Sequence, residues 1–404
     1  MKNKEFNIIT DVDNILNNTI KLSDFSYPLY LPKDTLIKCC KIEDIKNDEN
    51  YFLFINHYDK IRLDIQLMKD CLENIKIKDA ISKYNLNIIL IAPHESPENT
   101  IEIIKILTRI IKNNNWNESQ FFIINNNSAL DDIKKLFNSN MNFVKINYLL
   151  RVMSDNQFHP ITTEADIIFD KKFIFLCLNR KPHNFRVAFL SYLKNLKLLE
   201  NDITNWSFLN PYQIYSNNID SILFLKKYIQ LNNTNLVKTC LELLNEKKLS
   251  HYEQNVDWFN NGGDWWPATS DKSDTFSNSY INIVTETYFD FTKYIIHITE
   301  KSFKPFYYFQ LPIFLAPYNH IKKMKEEYDF YFFDDFIDHS YDDEIDDNKR
   351  FHMVIDEIQR LSTMREEIAI YYKSNIDKII HNHNFIKTYP EKKIEESYFY
   401  NLIK

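Results

Sequence analysis

From about residue 50 onward, short apolar runs alternate with segments whose apolar residues recur at helical spacing. The runs "YFLFIN" (51–56), "NIILIAP" (87–93), "QFFIIN" (120–125) and "FVKINYLL" (143–150) read as strands, with helices over 61–82, 98–113 and 129–138 between them. Unbroken apolar runs suit strands buried on both faces, the situation of a parallel sheet covered by its crossover helices.

A second series starts at "KFIFLCLNRK" (172–181), a buried-strand run ending in charge, and continues with a helix over 183–199. Helices over 218–231 and 235–247, a strand at "YINIVTETYF" (280–289), a helix over 300–310 and strands at "PIFLAP" (312–317) and "FYFFDDF" (330–336) follow. Residues 348–386 read as one long helical tail. The polar, aperiodic stretch "SDNQFHPITTEAD" (154–166) separates the two series. The expected fold class is α/β, with two Rossmann-like doubly wound domains in tandem over 1–160 and 161–375 and a helical C-terminal tail over 376–404, free to pack back on the first domain. A chain of 404 residues gives each domain room for its own core. Ligands of such sheets bind outside the carboxyl ends of the strands, so the loops after the strands are where chemistry is expected.

Composition narrows that chemistry. Gly262 and Gly263 are the only glycines, so neither GxGxxG nor GxxxxGK[ST] can be written, and a nucleotide would be held by side chains and helix N-termini. A net charge of −7 disfavours sequence-independent binding to nucleic acid or an anionic membrane. No stretch approaches the roughly 18 uninterrupted apolar residues of a membrane span, and the N-terminus lacks the apolar core of a secretory signal, so a cytoplasmic location is expected. Cys39, Cys40, Cys71, Cys177 and Cys240 are odd in number and lack CxxC spacing, which points to buried thiols rather than a disulfide framework or zinc site. The enrichment in Asn, Ile, Lys, Tyr and Phe is that of an AT-rich genome, so runs such as "IINNNS" (123–128) carry little functional weight.

Several segments carry candidate chemistry. In "ITEKSFKPF" (298–306), Thr299 reads as a helix N-cap that puts Glu300, Lys301 and Ser302 in the first turn, where free N–H groups and the helix dipole favour an anion. Glu300 suits that end of a helix; Lys301 does not, unless a ligand phosphate offsets it or it simply points to solvent. "IAPHESPENT" (91–100) follows a strand and opens a helix, making His94 and Glu95 candidates to deprotonate a hydroxyl or, equally, solvated loop residues. His57 and Asp59 in "NHYDK" (56–60) are rivals in an equivalent place. The loop over 257–279 holds Trp258, Trp265 and Trp266 beside the glycine pair; its indoles either stack on the apolar face of a sugar or plug the domain junction. The acidic run "FIDHSYDDEIDDNKR" (336–350) reads as a solvated approach to a helix rather than a metal site. "HNH" at 381–383 reads as incidental, and no Ser-His-Asp, Cys-His or HExxH signature is present.

The order "SYINIVTET…ITEKSFKPFYYFQLPIFLAP" resembles the C-terminal nucleotide-sugar site of GT-B glycosyltransferases, especially fucosyltransferase-like and phage or giant-virus enzymes. There a strand carrying an acidic residue precedes a TEK helix, and a Pro-bounded apolar strand follows. The resemblance covers roughly 170–365 and is tightest over 279–345. It implies that Glu300 hydrogen-bonds the nucleotide ribose and Lys301 reaches the diphosphate. In "LNRKPHNFRVAFLSYL" (178–193) it makes Arg180 a second phosphate ligand, with Arg186 or His183 nearby; a solvated turn residue is the other reading of Arg180. Glu286 would accept from the sugar or nucleobase side, or cap its own turn. The 336–350 run is similar to a YDxE segment late in the same viral proteins.

The resemblance implies a glycosyltransferase that moves a sugar from a nucleotide-sugar donor to the hydroxyl of a glycan or other acceptor. Lys and Arg would neutralise the departing diphosphate with no obligatory metal or cofactor. Inverting GT-B enzymes commonly draw their general base from the N-terminal domain, which suits Glu95 or His94; Trp265 and Trp266 would meet the acceptor. Two other readings stay open. One is a catalytically inactive nucleotide-sugar-binding protein of the same fold, the other a host-interaction protein that uses the aromatic loop as its contact.

Overall fold

The computed structural model describes residues 5–9, 36–40, 42, 45, 51–55, 65–84, 86–92, 97–125, 130–145, 163–179, 183–200, 202–209, 224–229, 232–245, 248–250, 276–290, 296 and 298–396. The chain divides into two compact units, residues 1–151 with 389–404, and residues 152–388.

In the first unit, strands β1 (Glu5–Ile9), β2 (Leu36–Cys40), β3 (Tyr51–Ile55), β4 (Leu86–Ala92), β5 (Phe121–Asn125) and β6 (Asn142–Lys145) form one parallel sheet in the order β2-β1-β3-β4-β5-β6. The order runs outward from β1 in both directions, as in doubly wound sheets. Helices α1 (Ile65–Glu73) and α2 (Ile75–Lys83) link β3 to β4, α3 (Pro97–Asn114) links β4 to β5, and α4 (Leu130–Phe137) links β5 to β6. Each is amphipathic for a simple reason of spacing. Ile103, Ile104, Leu107 and Ile111 make one buried stripe on α3 and pack with Leu86, Ile88 and Leu90 of β4 in a single apolar core. Ile89, on the other face of β4, is buried as well, which accounts for the unbroken apolar run over 88–92.

The second unit holds β7 (Phe173–Asn179), β8 (Thr204–Leu209), β9 (Lys248–Ser250), β10 (Ser279–Thr285) and β11 (Leu311–Leu315) in the order β11-β10-β7-β8-β9, parallel except for β9. Both units are α/β, with sheets of Rossmann-like character. Helices α5 (Asn184–Asn195), α6 (Thr234–Asn245), α7 (Glu300–Tyr307), α8 (His320–Glu327), α9 (Asp347–Ser362), α10 (Arg365–Ser374) and, as far as residue 388, α11 (Ile376–Glu396) belong to this unit. The chain leaves β7 toward β8 on one side and returns to place β10 on the other, so the direction of winding reverses between β7 and β10. That reversal is where open α/β sheets leave a crevice for ligands.

Some elements differ from those the pattern predicts. The stretch 330–336 is not a strand: Phe333 takes a left-handed backbone (φ 64°) that no strand can continue. Phe330, Phe332 and Phe333 make the stretch apolar because they are buried in the core; Phe330 stacks on Phe306 of α7 at 4.2 Å. Its backbone pairs with a side chain, since Asn382 accepts from Tyr331 N (2.8 Å) and donates to Tyr331 O (2.9 Å). The expected single helix over 348–386 is three. Breaks fall at Thr363–Met364 and Asn375, where the Thr363 hydroxyl and the Asn375 amide bond back to Arg360 O (2.9 Å) and Tyr371 O (3.0 Å). Within 218–231 the described residues make only a 3₁₀ turn, Phe224–Lys227. Strands β1, β2, β8 and β9 were not among those the pattern predicts.

The acidic run is not wholly solvated. Asp338, Asp343 and Asp346 are exposed, but His339, Tyr341, Asp342 and Arg350 are buried. Asp342 accepts from Ile321 N and Lys322 N, both at 2.9 Å, and so caps α8. "HNH" also has a structural use: Asn382 and His383 are both buried, and His383 donates from Nδ1 to Tyr307 O at 2.6 Å.

Candidate functional site at the carboxyl ends of β7 and β10

The two strands that flank the reversal are tied at their carboxyl ends by a side-chain bond, Thr285 Oγ1 to Asn179 Oδ1 at 2.8 Å. Asn179 in turn donates to Cys177 Sγ at 3.3 Å, and burial pushes that thiol up to about 12. Arg186, on α5, reaches the same point: Nη2 donates to Thr285 O (2.9 Å) and Glu286 O (2.6 Å). It is buried at 2% exposure, so its charge serves the strand end and not the surface. Burial lowers its pKa to about 10, against the opposing pull of Glu286 and Glu300.

Glu286 follows β10 directly and is fully buried. Its Oε2 accepts from Thr287 N (2.9 Å), its Oε1 from Thr299 N (3.1 Å) and Ser302 Oγ (2.6 Å), and the Thr299 hydroxyl reaches both oxygens (2.9 and 2.8 Å). Burial alone would raise this carboxyl. The nearby positive charge of Lys301, His320 and the Ser302 bond outweigh it and hold the group below its ordinary range. The second of the two open readings of Glu286, a cap for the turn, is the one its contacts satisfy.

Thr299 is the N-cap of α7: extended (φ −104°, ψ 178°), with its Oγ1 accepting from Lys301 N at 3.3 Å. Lys301 Nζ donates to Thr287 Oγ1 (3.1 Å) and Thr299 Oγ1 (3.0 Å) and lies 3.4 Å from Glu300 Oε1. The side chains of Glu300 and Lys301 remain 25% and 27% exposed, while Thr299 and Ser302 beside them are buried. Burial would raise Glu300, but Lys301, Lys304 and a backbone bond bring it down to about 2, so it is a carboxylate throughout the physiological range. Thus a carboxylate and an ammonium reach the surface at a helix N-terminus that also offers a favourable dipole to anions.

Around this point Arg350 holds the loops. Buried at 1% exposure, it donates to Phe289 O (2.7 Å) after β10, Ala316 O (3.2 Å) after β11 and Glu344 O (2.7 Å), pairs with Asp347 (2.6 Å) and lies over the Phe289 ring. Tyr341 Oη accepts from Phe314 N (3.1 Å) on the edge strand β11.

Of the residues singled out by sequence, the fold brings together Glu286, Glu300 and Lys301. His94, Glu95, His57, Asp59, Arg180, Trp258, Trp265 and Trp266 lie outside the described residues. Arg186 is committed to the β10 carbonyls, and His183 opens α5, stacked on Phe185 at 5.9 Å. Sequence reasoning did not find Asn179, Thr285, Thr287, Ser302, His320 or Arg350. For Ser302 a signal was in hand, a small hydroxyl in the first turn of a capped helix. Among the described residues no three His, Cys, Asp or Glu side chains gather as a metal site, and no helix is long and apolar enough to cross a membrane. Comparison with protein families, with curated proteins and with solved structures finds no match to this chain.

Proposed function

We propose that the protein is a glycosyltransferase of GT-B type, its second unit binding a nucleotide sugar beside Glu300 and Lys301. One observation carries the reading: the only described point where winding reverses in the second sheet is also where a capped helix N-terminus presents an ammonium and an ionised carboxylate side by side. Glu300 suits the two hydroxyls of a ribose, and Lys301 suits a diphosphate. In the reaction, the acceptor oxygen would bond to the anomeric carbon as the bond from that carbon to the diphosphate oxygen breaks. The nucleoside diphosphate would leave with its charge offset by Lys301 and Arg180. The acceptor proton would pass to Glu95 or His94, and Trp265 and Trp266 would meet the acceptor. The test is a thermal-shift panel of nucleoside diphosphates and nucleotide sugars on wild type and Lys301→Ala. One nucleotide series raising the melting temperature of wild type alone supports the reading; no shift with any compound removes it and favours an interaction protein.

A further inference from the structure

The hydrogens around Glu286 can be assigned from the heavy atoms alone. Thr287 N and Thr299 N are amide donors, so both carboxylate oxygens act as acceptors. The Ser302 hydroxyl has one hydrogen, and at 2.6 Å from Glu286 Oε1, an ionised oxygen with none to give, it donates that hydrogen to the carboxylate. His320 Nε2, 2.8 Å from Ser302 Oγ, must then be the donor, which fixes the proton on Nε2. The same holds on the other arm. The Thr299 hydroxyl gives its hydrogen to Glu286, so its lone pairs accept from Lys301 N and from the Lys301 ammonium. Two chains of one polarity therefore meet on one buried carboxylate, His320 to Ser302 to Glu286 and Lys301 to Thr299 to Glu286. Every member except Lys301 is buried, and Lys301 is the end that reaches the surface.

We infer that Glu286, Ser302 and His320 are positioning residues for Lys301, holding the Thr299 hydroxyl and through it the ammonium in the orientation that meets an anion at the start of α7. Glu286 then serves the donor without touching it. His320 opens α8, whose N-terminus Asp342 caps, so the chain also links the placement of α8 to that of the ammonium. The inference rests on the donor-site reading for the identity of the anion, but not for the geometry of Lys301.

The experiment therefore has a readout that needs no ligand. Lysines are labelled by reductive methylation at fixed pH in wild type, Ser302→Ala, His320→Leu and His320→Gln, and the rate at Lys301 is read by peptide mass spectrometry against Lys325 and Lys349. Affinity for inorganic pyrophosphate is measured on the same samples by calorimetry. In Ser302→Ala and His320→Leu, labelling of Lys301 should rise about three- to tenfold and pyrophosphate affinity fall by a similar factor, the population change that follows loss of one hydrogen bond. His320→Gln, which keeps a donor nitrogen, should restore both. Unchanged labelling in variants that fold, or raised labelling with unchanged pyrophosphate affinity, overturns the inference. If wild type binds no pyrophosphate while labelling responds as described, positioning stands and the donor-site reading fails. Should the variants not fold, ¹⁵N imidazole shifts of His320 in wild type decide: a proton on Nε2 supports the chain, and a neutral ring protonated on Nδ1 overturns it.

Discussion

The two units bury different chemistry. Among the described residues of the first, the core is aliphatic and aromatic, and only Thr100 and Ser139 are buried polar side chains. The second buries Lys171, Arg186, Glu286, His320, His339, Asp342, Arg350, Glu357 and His383, among others. Apolar burial suffices to hold a doubly wound sheet, since each side chain contributes about 1.5–3 kcal/mol. Buried charges contribute less to net stability than apolar groups of the same shape, because desolvation offsets their attraction. They do something apolar packing cannot, which is to fix particular backbone carbonyls and hydroxyls after particular strands. Lys171 donates to Ser277 O just ahead of β10, but Arg186, Glu286, His320, Asp342 and Arg350 act on the segments after β10 and β11, the same segments that shape the candidate site.

The contrast can be broken most strongly at Arg350. Replacing it with Ala leaves the carbonyls of Phe289, Ala316 and Glu344 without their donor and Asp347 without its buried cation. Urea unfolding should show a loss of about 3–5 kcal/mol, and a loss under about 1 kcal/mol would mean that water replaces the guanidinium. A smaller effect is expected from pH. Burial holds the His339 imidazole down from 6.5 to about 4, and the neutral ring is matched to its partners, Tyr341 Oη at Nδ1 (2.8 Å) and Phe332 O at Nε2 (3.1 Å). The unfolded chain takes up this proton first as pH falls. The stability it contributes is therefore complete above the ordinary histidine value and lost as pH drops toward the folded one. Unfolding free energy should fall by about 2 kcal/mol more in wild type than in His339→Gln between about pH 6.5 and 4.5. Equal slopes would show that His339 titrates normally. The smallest effect belongs to the first unit, where Ile104→Val should cost about 1 kcal/mol by calorimetric melting and leave the proposed nucleotide binding untouched.

The sequence made legible what depends on neighbours along the chain. The runs of β4, β5, β7 and β10 announced themselves, because strands covered on both faces carry apolar residues at most positions; even in β10, where Ser279, Asn282 and Thr285 interrupt, Tyr280, Ile281, Ile283 and Val284 lie close together. So did the cap at Thr299, which needs only its own helix. β8, "TNWSFL", did not: Thr204, Asn205 and Ser207 are buried polar residues, and Thr204 is satisfied by Leu198 O at 2.6 Å, a partner no periodicity reveals. β1 and β2 carry Asn7 and Lys38 among their apolar residues and so do not read as continuous runs. At the site, Glu300 and Lys301 stood out as a charged pair at a helix start. Ser302, His320 and Arg350 did not, because their roles arise only when the parallel register of β7, β10 and β11 brings residues 179, 285, 299 and 320 into one place. The acidic run misled for the same reason, since Asp342 looks solvated until α8 supplies the two amides it caps.

The most direct measurement is titration calorimetry of the nucleotide sugar that gives the largest thermal shift, on wild type, Lys301→Ala and Lys349→Ala, the last removing an exposed lysine of α9. Binding that survives Lys349→Ala and weakens at least about tenfold in Lys301→Ala, the scale of one charge-assisted hydrogen bond to phosphate, is the expected result. Equal affinity in all three proteins would contradict a donor site at the start of α7.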